Sequence, residues 1–228
     1  MLNMLKLDWL GMKFYHKRFV VIPLGVCFMG LYSEFIILPM VAFLMLSFSV
    51  NPFAVEEKGK LDNLYLTMPI ARKTIVNARF GLSLLMLLFG LILGTIVTPI
   101  VAKALYGKTF LYERAFDADF KTIFLLICGA ILSYAIMNLS TFPVLFRLGY
   151  ARGKALGFYI PFGAAAVIIA VVFMVAEQSK TFREWLTSAL VWTLDNTVWA
   201  AVIMLGVAVV MLAVSYVLSQ KLYAKREF

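Results

Sequence analysis

The stretch that decides how often this chain crosses a membrane is Asn51–Phe80, NPFAVEEKGKLDNLYLTMPIARKTIVNARF. It is the longest charged interruption in an oily sequence, and it carries Glu56, Glu57, Lys58, Lys60, Asp62, Arg72, Lys73 and Arg79 between long apolar runs. Before it lies the apolar tract Phe19–Val55, whose one polar break is Ser33–Glu34. A helix crosses the hydrocarbon layer in about 20 residues, so this tract is long for one span and short for two. As a single span it would put the Lys58–Arg79 cluster on the side opposite the other basic segments, against the tendency of Lys and Arg to stay in the cytoplasm. Two short spans, 19–32 and 35–54, with a turn at Ser33–Glu34, return the cluster to the basic side. They also place Glu34 at the membrane rim, where a carboxylate costs far less than at the midplane.

Composition sets the same frame. The chain has 228 residues, 63% of them hydrophobic and 14% charged, with a mean hydropathy of +0.94. Soluble domains run nearer about 45–50% apolar and about 25% charged. The excess cannot be hidden in one core, so lipid must solvate much of the surface. The net charge of +9 is then read as membrane topology and not as nucleic-acid binding. Cys27 and Cys128 both lie in apolar runs and read as small buried hydrophobes. No cleavable signal peptide is apparent at the start of the chain.

The rest of the chain is organised around Asn51–Phe80. Met1–Arg18 is too charged to span; Lys6, Lys13 and Lys17 share a helical stripe, with Asp8 and Trp9 alongside, which predicts an amphipathic helix in the membrane interface. Further spans are predicted at 75–105, 122–145, 155–176 and 197–219, the third kinked by Pro99. Between them lie the polar loop Tyr106–Lys121, the short basic loop Arg147–Lys154 and a second polar stretch, Glu177–Asn196. In that stretch Phe182, Trp185, Leu186, Ala189 and Leu190 recur at steps of three and four, with Ser179 as N-cap, which predicts an amphipathic surface helix.

The expected fold class is therefore all-α. It is a single polytopic domain, 1–228, of six transmembrane helices with both termini in the cytoplasm. This topology places 15 of the 21 Lys and Arg residues on one side, and that asymmetry fixes the orientation.

Several chemistries are excluded. No G-x-x-x-x-G-K-[ST] run is present; the nearest approach, Gly107–Lys108–Thr109, has Ala102 where the first glycine belongs. The single histidine, His16, argues against a zinc site built from His and Cys. Glu56–Glu57 resembles the glutamate pair of membrane CAAX-type proteases, but Leu61 stands where those need arginine, and the later histidines are missing. No charged residue falls near the middle of a predicted span, which disfavours an ion-coupled carrier. Asn138, Ser140 and Thr141 are polar residues within the fourth span. They read either as helix–helix hydrogen-bonding groups or as a polar patch on a translocation path.

The series Glu56–Glu57–Lys58, Lys60–Leu61–Asp62, Leu66–Thr67–Met68–Pro69–Ile70–Ala71–Arg72 and Ala78–Arg79–Phe80, following Lys6–Leu7–Asp8–Trp9 and a short hairpin, carries a family resemblance. It resembles the permease subunit of an ABC type 2 exporter, in the small six-span branch that includes permeases similar to exporters of phenol-soluble modulins and antimicrobial peptides. One departure is Ala71, where the family often has Ser or Thr. The resemblance implies a bacterial plasma-membrane protein and a cytosolic coupling helix between spans 2 and 3, docked on an ABC ATPase subunit. It also implies a second permease, identical or a sibling. ATP and Mg would be bound by the partner ATPase and no cofactor by this chain. The residues agree: Leu61, Leu64, Tyr65 and Met68 fall on one face of about two helical turns, and Pro69 stops them. Glu56, Glu57, Lys58, Asp62 and Arg72 supply charges of both signs, as a specific, partly polar interface requires. The competing expectation is a membrane scaffold or immunity protein that binds a partner and transports nothing.

Overall fold

The structure, a computed structural model, describes Lys6, Asp8, Leu10 and residues 37–59, 71–106 and 120–225. The helices that carry the argument are α1 (Ile37–Ser49), α2 (Asn51–Gly59), α3 (Arg72–Tyr106), α4 (Phe120–Lys154), α5 (Ile160–Gln178), α6 (Lys180–Asp195) and α7 (Thr197–Ala224), with a π-helical turn, Ala155–Tyr159, between α4 and α5. There is no strand among the described residues, so the protein is an all-α membrane protein, as its apolar runs require. Three stretches among them are long and apolar enough to cross a bilayer: Arg72–Val97, Ile123–Gly157 and Thr197–Ala224. The expected first span (19–32) and the turn at Ser33–Glu34 lie outside the described residues.

The expected second span is two helices, α1 and α2, broken at Val50. Pro52 sits in the first turn of α2, where its missing N–H costs nothing. Helix α2 then runs on to Gly59, carrying Glu56 and Glu57 on regular helix instead of in a loop. Helix α1 packs antiparallel on α3 through the Gly90–Gly94 pair: a Cβ at Gly90 would lie 2.6 Å from Met45 Cγ, and one at Gly94 2.4 Å from Leu38 Cδ1. Small residues spaced by four allow this approach, as in many membrane helix pairs.

The expected short basic loop, Arg147–Lys154, is a tight reversal, with helical residues on either side of a non-helical Gly149. Its basic side chains cluster at a helix terminus, which suits the helix dipole as well as a loop would. The break falls at Gly149, whose φ of 77° is open to glycine at little cost. The chain turns back there and returns along α4, so that a Cβ at Gly153 would lie 3.1 Å from Leu145 Cα, and the π turn carries the returning chain into α5. Thr141 Oγ1 donates to the Gly157 carbonyl at 2.8 Å, and a Cβ at Gly157 would lie 3.1 Å from Thr141 Cα.

Glu177–Asn196 holds the expected helix. Ser179 caps α6, its side chain accepting from Phe182 N at 3.3 Å. Arg183 reaches back to the carbonyls of Ala176 and Glu177 at 3.0 and 3.1 Å, satisfying two orphan acceptors at the end of α5. Trp185, Trp192 and Trp199 are all half or more exposed around this corner.

The core sits between α1–α2, α3, α4 and α7. Phe53, Phe80, Phe142, Phe146, Tyr216 and Tyr223 form an aromatic cluster there, mostly edge-to-face, with centroids 4.9–6.4 Å apart. The outer faces of α5 and α7 instead expose Val167, Ile168, Phe173, Ile203, Val209 and Val210, each by more than half. Apolar surface of that extent on a long helix is suited to lipid.

Candidate functional site

The aromatic cluster encloses charge. Arg79, on the third turn of α3, is 1% exposed, and its guanidinium forms an ion pair with Glu56 on α2, itself 3% exposed. Arg79 Cζ lies 4.1 Å from the Phe53 ring centroid and 5.8 Å from that of Phe146, both cation–π contacts. Nε and Nη1 of Arg79 have no hydrogen-bond acceptor among the described residues, so ring faces and one carboxylate carry its solvation. A third element contributes Asp8, which is buried and within electrostatic range of Arg79. Burial raises the Asp8 carboxyl above its ordinary value of 3.8, and the Arg79 charge works against that rise. The ion pair thus joins α2 and α3 at one cation, with the buried Asp8 within its electrostatic range.

Two hydrogen bonds fix the neighbouring helix ends. Glu57 accepts from the Ala151 N–H of α4 at 2.7 Å, and Arg72 Nη1 donates to the Ala224 carbonyl of α7 at 2.9 Å. These bonds bring residues 56–59, 71–73, 151–154 and 221–225 to one end of the bundle. Charge asymmetry assigns the same segments to one side of the membrane. At this end Lys58, Lys73, Arg147, Arg152, Lys154, Lys221 and Lys225 are exposed.

Of the residues expected to dock a partner, Glu57, Lys58 and Arg72 lie exposed at this end, whereas Glu56 points into the bundle and is consumed by Arg79. Leu61, Asp62, Leu64, Tyr65, Met68 and Pro69 lie outside the described residues, as do Trp9 and Lys13. Of the expected interfacial stripe, Lys6 is exposed, and Asp8 faces the Arg79 cluster. Arg79 itself was legible only as the marker of a span's end. The signal that would have found it is the opposite charge of Glu56, 23 residues away, beside Phe53 and Phe80. A charge this close to an apolar run needs a partner.

Deeper in the bundle a polar ladder links α3, α4 and α7. Asn138 Nδ2 donates to Ser83 Oγ at 3.0 Å, and Asn138 Oδ1 accepts from Ser215 Oγ at 2.8 Å. Tyr134 OH donates to the Ser83 carbonyl at 2.7 Å, and Tyr216 OH donates to Asn77 Oδ1 at 2.8 Å. Thr141 and Ser140 turn instead to the Gly157 carbonyl, at 2.8 and 3.4 Å. All three polar residues singled out in the fourth span therefore make helix–helix hydrogen bonds. Such bonds contribute about 0.6 kcal/mol each on average within a membrane. Asn138 also borders a cleft of about 520 Å³ between α3, α4 and α7, lined by Asn77, Ser83 and Tyr216 and by apolar groups such as Val209 and Leu212.

The family described as ABC-2 family transporter protein matches residues 3–224, nearly the whole chain. The chain belongs to that family. It is a membrane component of an ABC transporter, not itself the catalyst, in a family that works with an ABC ATPase. No curated protein and no solved structure matches it.

Proposed function

We propose that this chain is the permease subunit of an ATP-driven exporter of the bacterial plasma membrane, in the small six-span branch of its family. Two permeases, identical or siblings, pair in the membrane, and two ATPase subunits bind ATP and Mg below them. Both termini and the end carrying Arg72 face the cytoplasm. The segment Leu61–Met68 docks as a coupling helix on the ATPase, with Glu57, Lys58, Asp62 and Arg72 at the rim of the contact. Closure of the ATPases moves that helix, and the spans follow. The substrate is amphipathic or hydrophobic, and a peptide by the family resemblance.

The observation that carries this reading is that the segment between Gly59 and Arg72 is spliced into the bundle on both sides. Glu56 and Glu57 hold its incoming helix to α3 and α4, and Arg72 holds its outgoing helix to α7. A loop with no mechanical task needs no such anchoring. The cleft beside Asn138, apolar with few polar groups, suits an amphipathic cargo better than an ion.

The test is deletion of Leu61–Met68 in the chain co-expressed with its ABC ATPase. Substrate-stimulated ATP hydrolysis is expected to vanish. A complex that assembles and hydrolyses ATP normally without this segment contradicts the assignment and favours a scaffold that transports nothing.

A further inference from the structure

The buried Arg79 cluster has more charge than packing needs. Replacing a buried ion pair by well-packed apolar groups is commonly neutral or stabilising, so stability alone does not account for its presence. What a buried pair does impose is a fixed geometry. Apolar helix faces slide past one another at little cost, since one methyl contact replaces another. A carboxylate drawn away from the cation it pairs with, inside an aromatic pocket, incurs the loss of a buried charge left uncompensated by that cation. Helix α2 therefore cannot shift along α3 without carrying Arg79 with it.

The position of the pair gives this rigidity a use. Glu56 is one turn before the end of α2 at Gly59, where the chain enters the segment that docks the ATPase. Arg79 lies about 10 Å along α3 from Arg72, where the chain leaves that segment. It precedes Ser83, the residue from which the ladder to Asn138 and Ser215 starts. The buried Asp8 lies within electrostatic range of the same cation. We infer that Arg79 is a positioning residue: through its pair with Glu56 it locks the two arms of the coupling segment into one rigid body, so that displacement of that segment reaches α3, α4 and α7 undiminished. The inference rests on the permease reading proposed above and adds to it the residues that transmit the motion.

The test uses the full permease–ATPase complex in lipid vesicles, with spin labels at Ile96 on α3 and Ile203 on α7, both more than half exposed and far from the pair. The inter-label distance is read without nucleotide and with ATP trapped by vanadate. Wild type is expected to show a nucleotide-dependent shift; its absence in wild type would count against the permease reading itself. In E56M/R79M, which removes both charges, the shift is expected to be lost while assembly and basal ATP hydrolysis persist. In the charge-exchanged E56K/R79E it is expected to return. A full shift in E56M/R79M overturns the inference. Should that variant fail to assemble, the exchanged pair decides: assembly with a shift supports the relay, and assembly without one overturns it. Failure of both to assemble assigns the pair to folding alone and overturns the relay as well.

Discussion

Glu56→Gln is expected to destabilise the chain by about 3–5 kcal/mol, the usual cost of leaving a buried charge without its partner. The reason is local. Arg79 is 1% exposed, and among the described residues its other neighbours include the Phe53 and Phe146 rings, with Asp8 and Tyr223 within electrostatic range. Cation–π contacts contribute about 0.5–2 kcal/mol and do not replace a carboxylate. The Phe53 and Phe146 rings that cover the guanidinium are packed edge to face, with centroids 4.9 Å apart. The E56M/R79M double variant is expected to lose far less, because both charges leave together. Thermal unfolding of purified protein in detergent checks this: the single variant should melt well below the double. Equal losses in the two would mean that Arg79 finds solvation elsewhere.

Gly157→Val is expected to have the next largest effect. The new Cβ would meet Thr141 Cα at 3.1 Å and the Thr141 carbonyl at 3.2 Å, and neither backbone atom can rotate away. The π turn would have to lift from α4, stretching the 2.8 Å bond from Thr141 Oγ1 to the Gly157 carbonyl. Overpacking of this kind costs about 1–3 kcal/mol, and the interhelical bond adds up to about 1.7 kcal/mol. Gly163→Val, on α5 where nothing lies within 4 Å of the added Cβ, is the matched control and is expected to be close to neutral. The difference in melting temperature between the two variants is the readout.

The helices themselves were legible because apolar runs of membrane length admit few alternatives. The third predicted span, 75–105, is the interior of α3, Arg72–Tyr106, and the last, 197–219, is the interior of α7, Thr197–Ala224. The α6 cap at Ser179 could be read because capping is local, a hydroxyl within three residues of the N–H it serves. What failed to show was non-local. Glu56 reads as a surface charge because its partner is 23 residues away, across a segment that interrupts the helical pattern. Asn138 shows its polarity in sequence but not Ser215, 77 residues on. The break in Arg147–Lys154 was by contrast legible, because its charges and glycines signal a helix end and Gly149 alone supplies the positive φ that turns the chain. Pairing of charges across helices is a property of packing, and periodicity along one helix does not encode it.

The proposed function requires the basic end of the bundle to face the cytoplasm, where an ATPase can reach it. In a chain carrying Cys27→Ala and Cys128→Ala, single cysteines at Lys58, exposed at that end, and at Glu184, exposed on α6, can be probed with a membrane-impermeant maleimide. In intact cells K58C is expected to stay unlabelled and E184C to react, and in inside-out vesicles the pattern should reverse. Labelling of K58C from outside intact cells would contradict the account at its centre.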